Sequence, residues 1–348
     1  MAKGKLYLCG EYAVVDGGAA VIASVNRQMR ARVVRGDAGA GAGAGVVEIV
    51  RVNVDVRSVP ELRANDPNRF VLAAAWVAAQ FVVEAGGSVF ERVTLRLESE
   101  LREADGRKYG LGSSGAVTVA VLEALLAGYD VSAEHIYKLA VLALHLVGDN
   151  GSAGDIACCA FGQLLYYVRP DVAFVRELGA QMLTMNVHEA VACAWPGLVL
   201  EPLQWLEGVS SAVGWTGSPA SSADLVDSVR AYKKNNTAEY AQFVRESTRI
   251  AQAMREACVR NNTHDFEVAY AQASENMARF SAKTGGYMFT PALHTCVEIA
   301  QQYGWVAKFS GAGGGDCAIA VSAQNLDKNA LHAAWDAAGI MAMNWQLG

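Results

Sequence analysis

The chain has 348 residues, 52% of them hydrophobic and 18% charged, with a formal net charge of −6. That balance excludes a disordered chain and argues against a general nucleic-acid binder, so an anionic ligand would need a local cationic pocket. Seven cysteines without a C-x-x-C pattern and six histidines without ligand spacing point to reduced thiols in the cytoplasm instead of a disulfide framework or a zinc site.

Gly4 to Val15 reads as strand, turn, strand, with Gly10 at the break and Glu11 cutting short the apolar run that a signal peptide requires. Lys5 lies near the start of this apolar strand, where an ammonium either guards an exposed edge or meets an anion. Ala19 to Val34 continues as strand. Asp37 to Gly45 contains G-A-G-A-G-A-G and is expected to be a surface loop. Val46 to Val56 is expected to be a strand, Asn68 to Glu84 a buried helix closed by Gly86 and Gly87, and Val93 to Leu97 a half-buried strand. The most apolar long run, Val71 to Val83, is shorter than a membrane span and holds Gln80.

Arg107 to Ala127 is the densest stretch: two cations, a loop of small residues, then an apolar helix beginning at Ala116. Gly110, Gly112 and Gly115 lack Cβ, so their N–H groups can face a ligand, and Ser113 and Ser114 add hydroxyls beside the positive end of the helix dipole. Such a loop attracts phosphate. A plain glycine turn explains neither the serines nor the cations. A dinucleotide fingerprint would need a strand leading into Gly110, where the sequence has a polar run. A Walker loop would need Lys-Ser or Lys-Thr after its last glycine.

Helices follow to Leu146. Gly148 to Ala160, G-D-N-G-S-A-G-D-I-A-C-C-A, places Ser152 and Asp155 among glycines, where either suits a helix cap. Phe161 to Val168 is expected to be a strand, and Asp171 to Leu206 to add strands that finish a first domain. Val209 to Thr216 reads as strand, followed by a turn and a helix with Ser221 and Ser222 at its N-cap. Two long helices are expected over Thr237 to Arg260 and Asp265 to Thr284, and another from Pro291. Trp305 to Val321 is strand, glycine loop, strand, with more glycines than a hairpin turn needs. A last helix runs from Leu326 to Ala338, followed by Gly339.

Together these stretches resemble the small-molecule kinases named for galactokinase, homoserine kinase, mevalonate kinase and phosphomevalonate kinase, the GHMP kinases. G-L-G-S-S-G at residues 110–115 is similar to their P-x-x-x-G-L-G-S-S-A signature, with Lys108 and Tyr109 just ahead of it. The replaced proline, G-K-L-Y-x-x-G-E-Y at residues 4–12 and G-D-N-G-S-x-G-D at residues 148–155 resemble the phosphomevalonate kinase branch of that family. The glycine loop after Lys308 resembles the family's third motif.

The resemblance implies an α+β, two-domain GHMP kinase fold. An N-terminal domain, residues 1–206, carries a mixed sheet with helices, and a C-terminal domain, residues 207–348, is a ferredoxin-like sandwich, with the site in the cleft between them. It implies ATP as co-substrate, Mg2+ as cofactor, and phosphorylation of (R)-5-phosphomevalonate to the diphosphate in isoprenoid precursor synthesis. Mevalonate kinase, diphosphomevalonate decarboxylase and non-catalytic ATP-binding relatives share the fold. By the same resemblance Lys5 and Asp155 are the catalytic residues, and Ser114 and Asp155 the metal ligands. Lys108, Gly110, Leu111, Gly112, Ser113, Ser114, Gly115, Gly313 and Gly314 bind ATP. Lys5, Tyr12, Ser152, Ser221 and Ser222 bind the acceptor, and Lys108 would serve either substrate. Many relatives carry a second acidic magnesium ligand in the helix before Asp155; Lys138 to Val147 contains none. The expected partners are small molecules, with neither nucleic acid nor membrane, for a cytoplasmic monomer or homodimer.

Overall fold

The structure, a computed structural model, describes residues 1–34, 46–88, 90–149, 151–218 and 222–348. The chain starts with β1 (Ala2–Cys9), a 3-10 turn (Ala13–Asp16), β2 (Ala19–Val34), β3 (Val46–Asn53), α1 (Arg69–Glu84), β4 (Arg92–Ser99), α2 (Ser113–Leu125), α3 (Ala133–Val147) and α4 (Gly154–Phe161). It continues through β5 (Leu165–Val168), α5 (Val172–Ala180), α6 (Val187–Ala192) and β6 (Val199–Pro202). A second group comprises β7 (Ser210–Trp215), α7 (Ser222–Asn235), α8 (Thr237–Val259), α9 (Thr263–Lys283), α10 (Pro291–Gln302), β8 (Val306–Phe309), β9 (Cys317–Ser322), α11 (Lys328–Ala337) and β10 (Met341–Met343).

Among the described residues the strands form two sheets. The first runs β3-β4-β2-β5-β6, with β1 also on β2, and each of its pairings is antiparallel. The long β2 organises it: its first residues pair with β5, its middle with β1 and its last with β4. Irregularities between Lys3 and Gly4 and between Tyr7 and Cys9 bend β1, which re-aims its side chains near the site. Helices α2 and α4 pack on this sheet, and α1 and α3 pack on those helices. The small residues Ala73, Ala74, Ala75, Ala78 and Ala79 let α1 bury most of its surface against its neighbours. Ser132 caps α3 in a capping box with His135.

The second sheet has the order β10-β7-β9-β8, antiparallel throughout. With its crossover helices that is the β-α-β-β-α-β order of a ferredoxin-like sandwich, so the expected two-domain α+β architecture is present. Asn262, Thr290 and Asp327 cap α9, α10 and α11 through their side chains. Helices α8 and α9 pack on each other, α8 also reaching β2 and α9 reaching β8. The chain then returns to the first sheet: Gly348 N donates to Ser24 O at 3.1 Å, and Trp345 is buried in the main core.

Several expectations are corrected. Ala13 to Val15 is not a second strand but a 3-10 turn, because Tyr12 enters the left-handed region at φ 59° and reverses the chain. Phe161 ends α4; the strand begins at Leu165. The segment 171–206 contributes one strand and two helices, started by Asp171 and Asn186, whose side chains accept from Phe174 N and Glu189 N. Helix α2 begins at Ser113, three residues before the expected Ala116. The expected loop from Asp37 to Gly45 lies outside the described residues.

Candidate active site

Strand alternation puts Lys5 and Tyr7 on one face of β1. The Lys5 backbone N–H donates to Leu111 O at 3.0 Å, and its ammonium donates to Gly110 O at 3.2 Å. The strand and the glycine loop are thus tied at two points, with Lys5 only 9% exposed. Tyr7 N donates to Ser310 Oγ at 2.7 Å, and the Tyr7 hydroxyl lies 3.1 Å from Ser152 Oγ. Burial pushes the Tyr7 phenol well above its ordinary value, and the charge of Asp155 raises it further, so it stays a neutral hydroxyl.

The loop needs its glycines. Gly110 and Gly112 adopt φ 82° and 77°. A Cβ on Gly110 would stand 2.4 Å from Asp316 Cγ, and one on Gly112 would stand 3.0 Å from Lys5 Cε. Gly112 hands directly into α2, so the helix N-terminus opens on the same space. Tyr109, just ahead, is gripped edge-on by Trp215 and Trp345, with ring centroids at 4.9 and 5.1 Å.

Asp155 occupies the first turn of α4. Ala153 at φ 58° sharpens the entry, and Ser152 Oγ accepts from Gly154 N at 3.2 Å. Burial pushes the Asp155 carboxyl up, Lys5 draws it back down, and Asp149 raises it again.

The facing wall comes from the turn after β1 and the loop between β8 and β9. The Tyr12 hydroxyl donates to Ala312 O at 2.6 Å. Glu11 and Lys308 form a buried ion pair across the two domains, and the same ammonium donates to Phe309 O at 2.6 Å. These walls enclose a cavity of about 380 Å³ lined by Lys5, Tyr12, Lys108, Gly110, Gly112, Ser113, Ser114, Ser152 and Asp155 of the expected set. Tyr7, Glu11, Val14, Val15, Gly311 and Ala312 complete it. Two lysines at a helix N-terminus, with Glu11 neutralised by Lys308, make an anion-accepting chamber of ligand size.

No group of three or more His, Cys, Asp or Glu side chains suited to a metal gathers among the described residues. A divalent cation here has the Asp155 carboxylate and the Ser114 hydroxyl to take. That donor set fits magnesium, which binds through one or two carboxylates and fills the rest of its shell with water and phosphate oxygens.

Residues 69–163 match the GHMP kinases N terminal domain, and residues 252–340 match GHMP kinases C terminal. The phosphomevalonate kinase of Streptomyces sp. (strain CL190) is 33% identical, over 98% of this chain and 95% of its own. The chain belongs to the GHMP kinases.

Among solved structures, the Lin0012 protein from Listeria innocua aligns with a TM-score of 0.86 and 27% identity, covering 100% of this chain and 96% of its own. The Streptococcus pneumoniae phosphomevalonate kinase, solved in complex with phosphomevalonate and AMPPNP, aligns at 0.81 and 28%, covering 100% and 98%.

In this GHMP kinase Leu111, Gly115, Gly313 and Gly314 of the expected set do not line the cavity. Leu111 is fully buried beneath the loop and contributes its carbonyl to Lys5. Gly115 lies in the first turn of α2 against Asp155. Gly313 and Gly314 back onto Met288 and Leu225, and it is Gly311 and Ala312 that reach the cavity. Ser222 is the first residue of α7, and Ser221 lies outside the described residues. Sequence reasoning missed Tyr7, Glu11 and Ser310. For Tyr7 the signal was present, two residues after Lys5 on the same strand face; for Ser310 nothing local gave it.

Proposed function

We propose that this GHMP kinase transfers the terminal phosphoryl group of ATP to the phosphate of (R)-5-phosphomevalonate, giving the diphosphate. One observation carries the reading: Lys5, Lys108 and the N-terminus of α2 converge on one cavity. The 33%-identical phosphomevalonate kinase supports it. A phosphate monoester has its second pKa near ~6 and is mostly a dianion at neutral pH. Such an acceptor needs no base. Its barrier is repulsion between two polyanions, which cations and oriented N–H groups lower.

Lys5, held on Gly110 O, reaches between donor and acceptor and stabilises the transferring phosphoryl group. The glycine loop with Ser113 and Ser114 cradles the ATP phosphates. Tyr12, Ser152, Ser221 and Ser222 hold the acceptor, and Lys108 at the mouth serves either anion. Asp155 and Ser114 are the ligands for Mg2+, which when bound neutralises charge on the phosphate oxygens. Asp155 thereby positions the metal instead of taking a proton. The domain boundary falls at residues 206 and 207. All seven cysteines are free, which supports the cytoplasm as the compartment.

The test is a coupled assay of ADP release across mevalonate, phosphomevalonate, galactose and homoserine. Turnover confined to phosphomevalonate is expected. Preferred turnover of mevalonate, or ATP binding without turnover of any acceptor, overturns the proposal.

A further inference from the structure

Tyr7 is 7% exposed and lines the catalytic cavity between Lys5 and Ser152. The Lys5 ammonium lies over its ring, 5.4 Å from the centroid. Its hydroxyl meets Ser152 Oγ at 3.1 Å. Its backbone N–H donates to Ser310 Oγ of the second domain, which anchors the residue from behind. A Cβ on Gly154 would stand 2.4 Å from the Tyr7 hydroxyl oxygen, so the entry to α4 runs against the phenol at a position without a side chain.

The protons around Ser152 can be traced. Tyr167 donates to Ser152 O at 2.6 Å, so in its 2.9 Å bond with Tyr137 it is Tyr137 that donates. Those bonds hold the Ser152 backbone. The Ser152 hydroxyl has two lone pairs and one proton. Gly154 N donates to it at 3.2 Å, which fills one lone pair. Burial and the Asp155 charge keep the Tyr7 phenol protonated. A phenol that donates to the second lone pair leaves the Ser152 proton for another oxygen, and an anion in the cavity supplies one. At the other end, Gly110 O takes one proton of the Lys5 ammonium. The ring face attracts that cation without offering an oxygen that would compete with a phosphoryl group.

We propose that Tyr7 is a positioning residue for both groups: its hydroxyl turns the Ser152 proton toward the acceptor, and its ring holds the Lys5 ammonium at the transferring phosphoryl group. This rests on the reading of Ser152 as a ligand of 5-phosphomevalonate and of Lys5 as the transfer cation. The two duties belong to different parts of one side chain, so two substitutions separate them.

The experiment measures kcat and both KM values in wild type, Tyr7→Phe and Tyr7→Leu, and repeats the substitutions in Ser152→Ala and Lys5→Met backgrounds. Tyr7→Phe keeps the ring and should raise the KM for 5-phosphomevalonate by about tenfold, the worth of a misaimed hydrogen bond to an anion. Its kcat and its KM for ATP should stay within about twofold of wild type, since the cation and its ring remain. Tyr7→Leu should in addition lower kcat by about tenfold, the worth of a partly desolvated cation–π contact. Each loss should vanish where its partner is already gone: the KM effect of Tyr7→Phe in Ser152→Ala, and the kcat effect of Tyr7→Leu in Lys5→Met. A purely structural role would move both KM values together and add to the background losses. That pattern, or a Tyr7→Phe variant with wild-type KM for 5-phosphomevalonate, overturns the inference, and Tyr7→Phe decides it even if Tyr7→Leu does not fold. If wild type fails to turn over 5-phosphomevalonate at all, it is the proposed function that falls.

Discussion

Gly115 and Asp155 touch without a side chain between them: a Cβ at Gly115 would stand 2.8 Å from Asp155 Oδ2 and 3.1 Å from its Cγ. Helix α2 and helix α4 thus bring the glycine loop and the Asp155 carboxylate this close at a position without a side chain. Gly115→Ala suits the helix by roughly 0.5–1 kcal/mol, so the fold should survive. The displaced carboxylate should lower kcat by about 10²-fold, the effect of about 1 Å of misplacement. Magnesium-dependent kinetics alongside a thermal melt check this. An unchanged kcat would mean that the Asp155 position is not critical.

Lys5→Met removes the ammonium but leaves the backbone bond to Leu111 O that fixes β1 on the loop. The fold and the affinity for ATP should stay within a few-fold of wild type. The loss of a transition-state cation should lower kcat by about 10³-fold or more. Single-turnover rates together with an ATP isotherm separate the two effects. Near-normal turnover removes Lys5 from the chemistry.

The parts of this site that were legible in the sequence are those whose chemistry is contiguous. Residues 4–12, 107–115 and 148–155 each concentrate glycines with charged or hydroxyl groups, and all three reach one cavity. What escaped depends on partners remote in the chain. Lys308 follows Glu11 by 297 residues, and Ser310 follows Tyr7 by 303, so neither contact leaves a local pattern. The misread segment 171–206 failed for another reason. Helix α5 has no fully buried residue, and its half-buried Phe174, Val175 and Leu178 give only a weak helical stripe, while its valines favour strand. The caps Asp171 and Asn186 were the available signal.

Asp155→Asn separates stability from catalysis. Burial raises the Asp155 carboxyl in the folded protein, against the pull of Lys5. A carboxyl with a folded pKa above its unfolded value binds its proton more tightly when folded. Its favourable contribution is complete below the unfolded pKa and is lost as pH rises through the folded one. At neutral pH the charged form is therefore a liability, and Asp155→Asn should stabilise the ligand-free protein. The gain should shrink as pH falls toward the ordinary carboxylate range. Turnover should drop sharply and recover in part at high magnesium. Melting temperatures across pH, read beside the rate profile, decide it: a pH limb in wild-type kcat that vanishes in the variant would make Asp155 a base.

The ion pair between Glu11 and Lys308 should behave as a unit in stability. Both groups are buried, and they join the turn after β1 to β8 across the two domains. Lys308→Met alone leaves the Glu11 carboxylate without a counter-ion, which should cost about 3–5 kcal/mol. Glu11→Met alone strands the ammonium, although Phe309 O still accepts one of its protons, so the loss should be somewhat smaller. The double variant replaces two desolvated charges with apolar side chains and should recover most of the loss, since a buried pair gains little over a packed hydrophobic contact. Denaturant unfolding of all four proteins gives the cycle. The single losses should sum to more than the double loss by several kcal/mol, the signature of coupled neighbours. Additive losses would show instead that the two side chains stabilise the domain contact separately.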